Sequence, residues 1–171
     1  MNTTTKEKTK ELLKKSVGVA LQNTDKKPKK NLNMKIKIGI DPGVATGLAV
    51  SKNGSLTEIA CMTILEAIDR CKTLFYDYLN SDIDVYVEDA CKRSGSKEMA
   101  FGAGHVVRDC KIWKEFSRDY NAEYWGNINF HFVKPDPSLT KFNDEKFKQY
   151  TNWQPRTNSH SRDAAMLIYG L

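Results

Sequence analysis

No apolar run in the chain approaches the roughly 20 residues that span a bilayer, so no membrane helix is expected. The N-terminal stretch lacks the apolar core of a secretory signal and is instead rich in lysine, threonine and asparagine. Cysteine is sparse: Cys61, Cys71, Cys91 and Cys110 are widely scattered, with no CxxC pair. That pattern offers neither a metal framework nor a disulfide scaffold, and points to reduced thiols in a cytoplasmic compartment. There is no internal repeat. What is present is 171 residues, enough for one domain whose core needs no covalent staples.

The net charge of +6 is unevenly placed. Residues 1–37 hold 11 lysines and 3 acidic residues, a net +8; the rest holds 16 basic and 18 acidic residues, a net −2. A lysine-rich tail on a slightly acidic body is either a solvated arm or a non-specific grip on nucleic-acid phosphates. The run Lys26 to Lys30, with Pro28 inside it, reads as a linker. Residues 1–33 are assigned to a basic, flexible arm and residues 34–171 to the folded domain.

The domain is organised around Met34 to Val50, MKIKIGIDPGVATGLAV. Ile36, Ile38 and Ile40 alternate with Lys37, Gly39 and Asp41, which predicts a strand. Pro42 and Gly43 break it just after Asp41. The run Gly47 to Val50 then returns as a hairpin partner, leaving Asp41 at the end of a central strand. Gly39, Gly43 and Gly47 are expected to leave open space around it. A carboxylate beside a buried apolar run is costly unless it is paired or binds a cation.

Asn53-Gly54 is a two-residue hairpin signal, and Leu56 to Met62 is the third strand. Thr63 and Glu66 form a capping box that opens a helix running to Asn80, with Ile64, Ile68, Cys71, Phe75 and Tyr78 on its core stripe. Asp84 to Ala90 alternates as a fourth strand, with Val85, Val87 and Asp89 on one face and Tyr86 and Glu88 on the other. The loop CKRSGSK supplies Lys92, Arg93 and Lys97. A long helix over about Glu98 to Tyr120 turns Val106, Cys110, Trp113 and Tyr120 inward. Gly102 and Gly104 weaken its first turns, which suggests a close backbone approach. Asn127 to Val133 is the fifth strand and Asp144 to Tyr150 a short helix. Asn158 or Ser159 caps a last helix carrying His160, Asp163, Ala164, Leu167 and Ile168. The order β-β-β-α-β-α-β-α-α implies an α/β fold, a mixed sheet with helices on both faces.

Three separated segments each present an acid: Asp41, Glu88 and Asp163. His160 lies three residues before Asp163 and shares its helical face. Taken singly, Asp41 is an ordinary turn residue, Glu88 an edge-strand surface residue, and Asp163 and His160 helix-start residues. Taken together, with the first and fourth strands adjacent, they converge. Crowded carboxylates need a cation to stay ionised. Oxygen ligands with one imidazole suit Mg²⁺ or Mn²⁺, and paired ions of that kind hydrolyse phosphodiesters.

IGIDPGVATGLAV, VYVEDA and HSRDAAMLIYG, in that order and spacing, resemble the three motifs of RuvC-type Holliday junction resolvases, particularly the small phage members. The resemblance runs with gaps from Met34 to Leu171. It implies an RNase H-like fold with a five-stranded mixed sheet flanked by helices. It also implies a homodimeric, Mg²⁺-dependent endonuclease, with Mn²⁺ as a substitute, that cuts branched DNA in a bacterial or phage-infected cell. Asp41, Glu88 and Asp163 match the family's catalytic carboxylates. His160 stands where many members have a fourth acid and others a histidine, as a metal ligand or a water-positioning group. Lys134 and Lys146 resemble lysines that face DNA phosphate, and join Lys92, Arg93 and Lys97 as candidate DNA contacts. Sequence-selective members carry an aromatic close after the glutamate. Here Asp89, Ala90 and Cys91 follow Glu88, so the resemblance does not extend to sequence-selective cutting.

Three other readings compete. An RNase H-like nuclease for RNA–DNA hybrids or flaps would share the site. An actin-type or sugar-kinase-type nucleotide site shares the Asp-x-Gly loop but needs two such domains. A non-catalytic DNA-binding module is disfavoured by acids that would repel phosphate.

Overall fold

The alternation of KIKIGID becomes β1 (Lys35–Asp41), with Ile36, Ile38 and Ile40 fully buried on one face. The computed structural model describes residues 34–89, 103–123, 128–136, 138 and 141–171. All belong to the unit Asn31–Leu171, one of two into which the chain divides. The arm assigned to residues 1–33, the loop residues Lys92, Arg93 and Lys97, and Cys91 and Gly102 lie outside the described residues.

β2 (Thr46–Lys52) pairs antiparallel with β1, setting Gly47 opposite Asp41 and Ala49 opposite Gly39. Asn53 and Gly54 both have positive φ, 49° and 84°, as the favoured two-residue hairpin turn requires. The Asn53 side chain ties this turn to the start of β1 by accepting from the Lys35 N–H at 3.0 Å. β3 (Ser55–Met62) follows, pairing antiparallel with β2. The Thr63–Glu66 capping box forms as its residues predict and starts α1 (Ile64–Asp77). That helix buries Ala67, Cys71, Leu74 and Phe75, and ends before Asn80.

β4 (Asp82–Glu88) runs parallel to β1 and begins two residues before the predicted start, because Ile83 joins the core. α2 (Ala103–Glu123) buries Cys110 and Trp113. The inward placement expected of Val106 falls outside the described side chains. Gly104 departs from expectation: a Cβ there would meet nothing within 4 Å, so it marks no close approach. β5 (Ile128–Val133) pairs parallel with β4. α3 (Asp144–Thr151) and α4 (Ser159–Met166) complete the order, with Leu167 and Ile168 in the turn after α4 rather than inside it.

The sheet order is β3-β2-β1-β4-β5. This is a mixed five-stranded α/β fold, consistent at that level with an RNase H-like arrangement. One face carries Ile36, Ile38, Ile40, Leu48, Val85 and Val87 against α1 and α2. The other carries Ala49 against Ala164, Ala165, Ile168, Phe142 and Phe147 from α4 and the α3 region. Among the described residues no helix is long and apolar enough to cross a membrane, and Cys61 and Cys71 are free thiols.

Candidate functional site

β1 and β4 are parallel with Ile40 opposite Val87. Asp41 and Glu88 are the next residues of the two strands. Strand alternation puts both on the face opposite Ile40 and Val87, which is the face α4 covers. Each ends its strand. The apolar alternation that builds the core therefore also places two carboxylates at one end of adjacent central strands.

α4 brings the other two residues. Its start is fixed by Asn158, whose side chain accepts from the Ser161 N–H at 2.9 Å, while the Ser161 hydroxyl oxygen accepts from the Asn158 N–H at 3.1 Å. Reciprocal capping of this kind contributes about 1 kcal/mol. The helix then lies directly on β1 and β2. A Cβ at Gly39 would overlap the Ala164 carbonyl, and one at Gly47 would overlap the His160 carbonyl. The space expected to be open at Gly39 and Gly47 is thus filled by the α4 backbone. Glycine is required there for contact with the helix, not for ligand access; only Gly43 has ordinary clearance, with the Ala45 carbonyl at 3.4 Å.

This seating sets His160 Nδ1 2.8 Å from Asp41 Oδ2. The His160 ring is 47% exposed and the Asp41 side chain 14%. Burial pushes the Asp41 carboxyl above its ordinary range; the His160 hydrogen bond and charge oppose that, and the negative charge of Asp163 adds to it. Asp163 therefore acts on Asp41 across the site. Its own Oδ1 accepts from the Lys141 backbone N–H at 2.9 Å. Asp41, His160 and Asp163 form one electrostatic unit, with Glu88 on the strand next to Asp41.

Among the described residues no group of three or more His, Cys, Asp or Glu side chains is gathered so that it could hold a metal ion. Two of the carboxylate oxygens already have protein partners: Asp41 Oδ2 meets His160 Nδ1, and Asp163 Oδ1 accepts from the Lys141 N–H. The donor chemistry nevertheless suits a hard divalent cation. The raised pKa of Asp41 marks a carboxylate whose charge the surrounding protein does not fully compensate, which is the condition a bound cation relieves.

Several contributors carry no local signal in the sequence. Arg162, beside Asp163, donates from Nε to the Phe142 carbonyl at 2.8 Å and from Nη1 to the Thr157 carbonyl at 3.2 Å. Arg162 and Asp163 thereby grip the Phe142 C=O and the Lys141 N–H, and Lys141 adopts a left-handed φ of 67°. Thr46, fully buried, donates from its hydroxyl to the Gly43 carbonyl at 2.7 Å and holds the turn after Asp41. Behind Glu88, the buried Asp89 pairs with Lys114 of α2 at 2.8 Å, and the Cys110 thiol donates to the Glu88 carbonyl at 3.6 Å. The 114 and 162 positions read as ordinary surface charges, because Asp89 and the Phe142 carbonyl, the partners that tie them to the site, lie 20 or more residues away.

Of the candidate lysines, Lys134 directly follows Val133, the β5 partner of Glu88. Lys146 lies in α3, with Nζ 4.1 Å from the centre of the Phe142 ring. In comparisons with known proteins, no family model matches the chain, and no curated protein matches it.

Proposed function

We propose that this chain is a metal-dependent, structure-selective DNA endonuclease that cleaves four-way junctions or other branched DNA, acting as a homodimer. The observation that carries the reading is the convergence of Asp41, His160 and Asp163 at the end of a central strand whose parallel neighbour ends in Glu88. Asp41, Glu88, His160 and Asp163 would hold Mg²⁺, or Mn²⁺ in its place. When bound, such ions activate a water and stabilise the leaving oxygen of a phosphodiester.

The chain's own residues do the rest. His160, whose Nδ1 lies 2.8 Å from Asp41 Oδ2, would serve as a ligand or orient the attacking water. The Lys141 N–H holds the Asp163 carboxylate in one orientation. Lys134 and Lys146, attached beside Glu88 and beside the Lys141–Phe142 segment, supply positive charge for phosphates flanking the cut. A two-fold dimer would present two such sites to the two strands of a four-way junction. The motifs around Asp41, Glu88 and Asp163 support this reading over an unspecialised DNA-binding module.

The test is side-by-side cleavage of labelled four-way junction, flap, RNA–DNA hybrid and linear duplex, with Mg²⁺, Mn²⁺ or EDTA. Junction cutting that needs a divalent ion and is lost in Asp41→Asn is expected. Preference for hybrid or flap would assign the chain to a different RNase H-like nuclease activity. Cutting unchanged by EDTA would end the metal reading.

A further inference from the structure

Beside the Asp163–Lys141 bond lies an aromatic and cationic surface that the hydrolytic chemistry does not use. Lys146 and Tyr150 are four residues apart on α3 and share one face, and Phe142, just before the helix cap, lies against both. Tyr150 is 54% exposed, unusually open for a large ring. Yet it is held on two sides. The Phe142 ring meets it nearly edge-on, 5.7 Å between centres, and the Tyr169 ring lies at 5.4 Å. The Tyr169 hydroxyl also donates to the Tyr150 carbonyl at 2.8 Å. One turn earlier, Lys146 Nζ sits over the Phe142 ring. Among the described residues no carboxylate pairs with it.

An exposed aromatic with a fixed orientation, next to such an ammonium, has the chemistry of a single-stranded nucleotide site. The ring offers a stacking surface to a base, and the cation meets the phosphate. Double-stranded DNA keeps its bases stacked on one another and cannot use such a ring. The Arg162–Asp163 grip on residues 141–142 ties this surface to the candidate acids. We propose that Tyr150 and Lys146 form a docking surface for an unpaired nucleotide of DNA, the base stacking on Tyr150 and its phosphate on Lys146. This rests on the nuclease reading for its choice of DNA, and it goes further by giving the enzyme a contact made only where the duplex opens.

The test measures binding rather than cutting, with the full chain in EDTA. A fluorescein-labelled oligothymidine and a fluorescein-labelled blunt duplex are titrated and followed by anisotropy. The proteins are wild type, Tyr150→Leu, Tyr150→Phe and Lys146→Ala, each checked for native circular dichroism. Leucine keeps apolar contact with Phe142 and Tyr169 but removes the flat ring. Tyr150→Leu should weaken oligothymidine binding about 10-fold, with Tyr150→Phe close to wild type and duplex binding unchanged. Lys146→Ala should flatten the salt dependence of oligothymidine binding by about 0.7 in slope.

Oligothymidine affinity unchanged in Tyr150→Leu overturns the proposal. So does an equal loss on duplex and single strand, or wild-type protein that does not bind oligothymidine. None of these outcomes touches the nuclease reading, which stands or falls on metal-dependent junction cleavage.

Discussion

Asp41 sits where burial and the charge of Asp163 oppose its ionisation, and that has a consequence for stability. A carboxyl whose folded pKa lies above its ordinary 3.8 costs the folded state nothing while protonated. Stability is lost as pH rises from that ordinary value through the raised folded one. We expect Asp41→Asn to raise the urea midpoint of the metal-free protein at pH 7, with the difference closing as pH falls below 3.8. Equal midpoints at pH 7 would mean that His160 fully compensates the charge. The same substitution should abolish junction cleavage while keeping junction binding. At His160 the expectation concerns rate: His160→Ala should lose about 10²-fold or more in cleavage, and His160→Asp should retain a measurable part. A His160→Ala enzyme cutting at the wild-type rate would remove the imidazole from the site.

The seat of α4 on β1 and β2 makes glycine substitutions unequal. At Gly39 or Gly47 a methyl group meets helix backbone that cannot rotate away. Gly39→Ala and Gly47→Ala should each cost about 1–3 kcal/mol or more, and should abolish cleavage by lifting His160 and Asp163 off Asp41. Gly104→Ala, in open space on α2, should instead stabilise by up to about 1 kcal/mol. Denaturant midpoints of the three variants provide the check, and equal effects would show that α4 is not seated this tightly. These contrasts also mark what is legible in the sequence. Period-2 alternation, the Asn53-Gly54 turn and the Thr63 capping box are local, and they place the strands and α1 within a few residues. Ala164 and Ala165 indicate that the last helix presses on the sheet. Gly39 and Gly47 read as open space because sequence shows the missing side chain and not what fills its place. Arg162, Lys141 and Lys114 give no signal for a similar reason: each acts through a partner distant in sequence, two of those bonds engaging main-chain groups, which carry no residue identity.

The molecule as a whole separates its positive charge from its acids. Residues 1–37 carry +8 and the remainder −2, so the candidate site lies in the part of the chain with the less favourable charge for DNA. Deleting residues 1–33 should leave a folded, metal-responsive nuclease with weaker junction affinity. For every DNA phosphate that the arm no longer neutralises, the slope of log affinity against log salt should flatten by about 0.9 on duplex arms. Identical affinity and slope in the truncated and full-length proteins would assign the arm another task, and failure to fold would move the domain boundary.

The hydrogen bond between Asp41 and His160 joins residues 119 apart in sequence. During vectorial synthesis at about 5–20 residues per second, some 6–24 s separate the translation of the two residues. Throughout that interval the nascent polypeptide holds Asp41, and later Glu88, without the helix that completes the constellation. Under the nuclease proposal, a ribosome-bound intermediate would be hydrolytically silent towards nearby nucleic acid, and competence would arrive in a single late event, the docking of α4. Premature termination anywhere upstream of residue 160 yields a fragment that lacks His160 and Asp163, half of the constellation, so under the same proposal an aborted product would carry no cutting site.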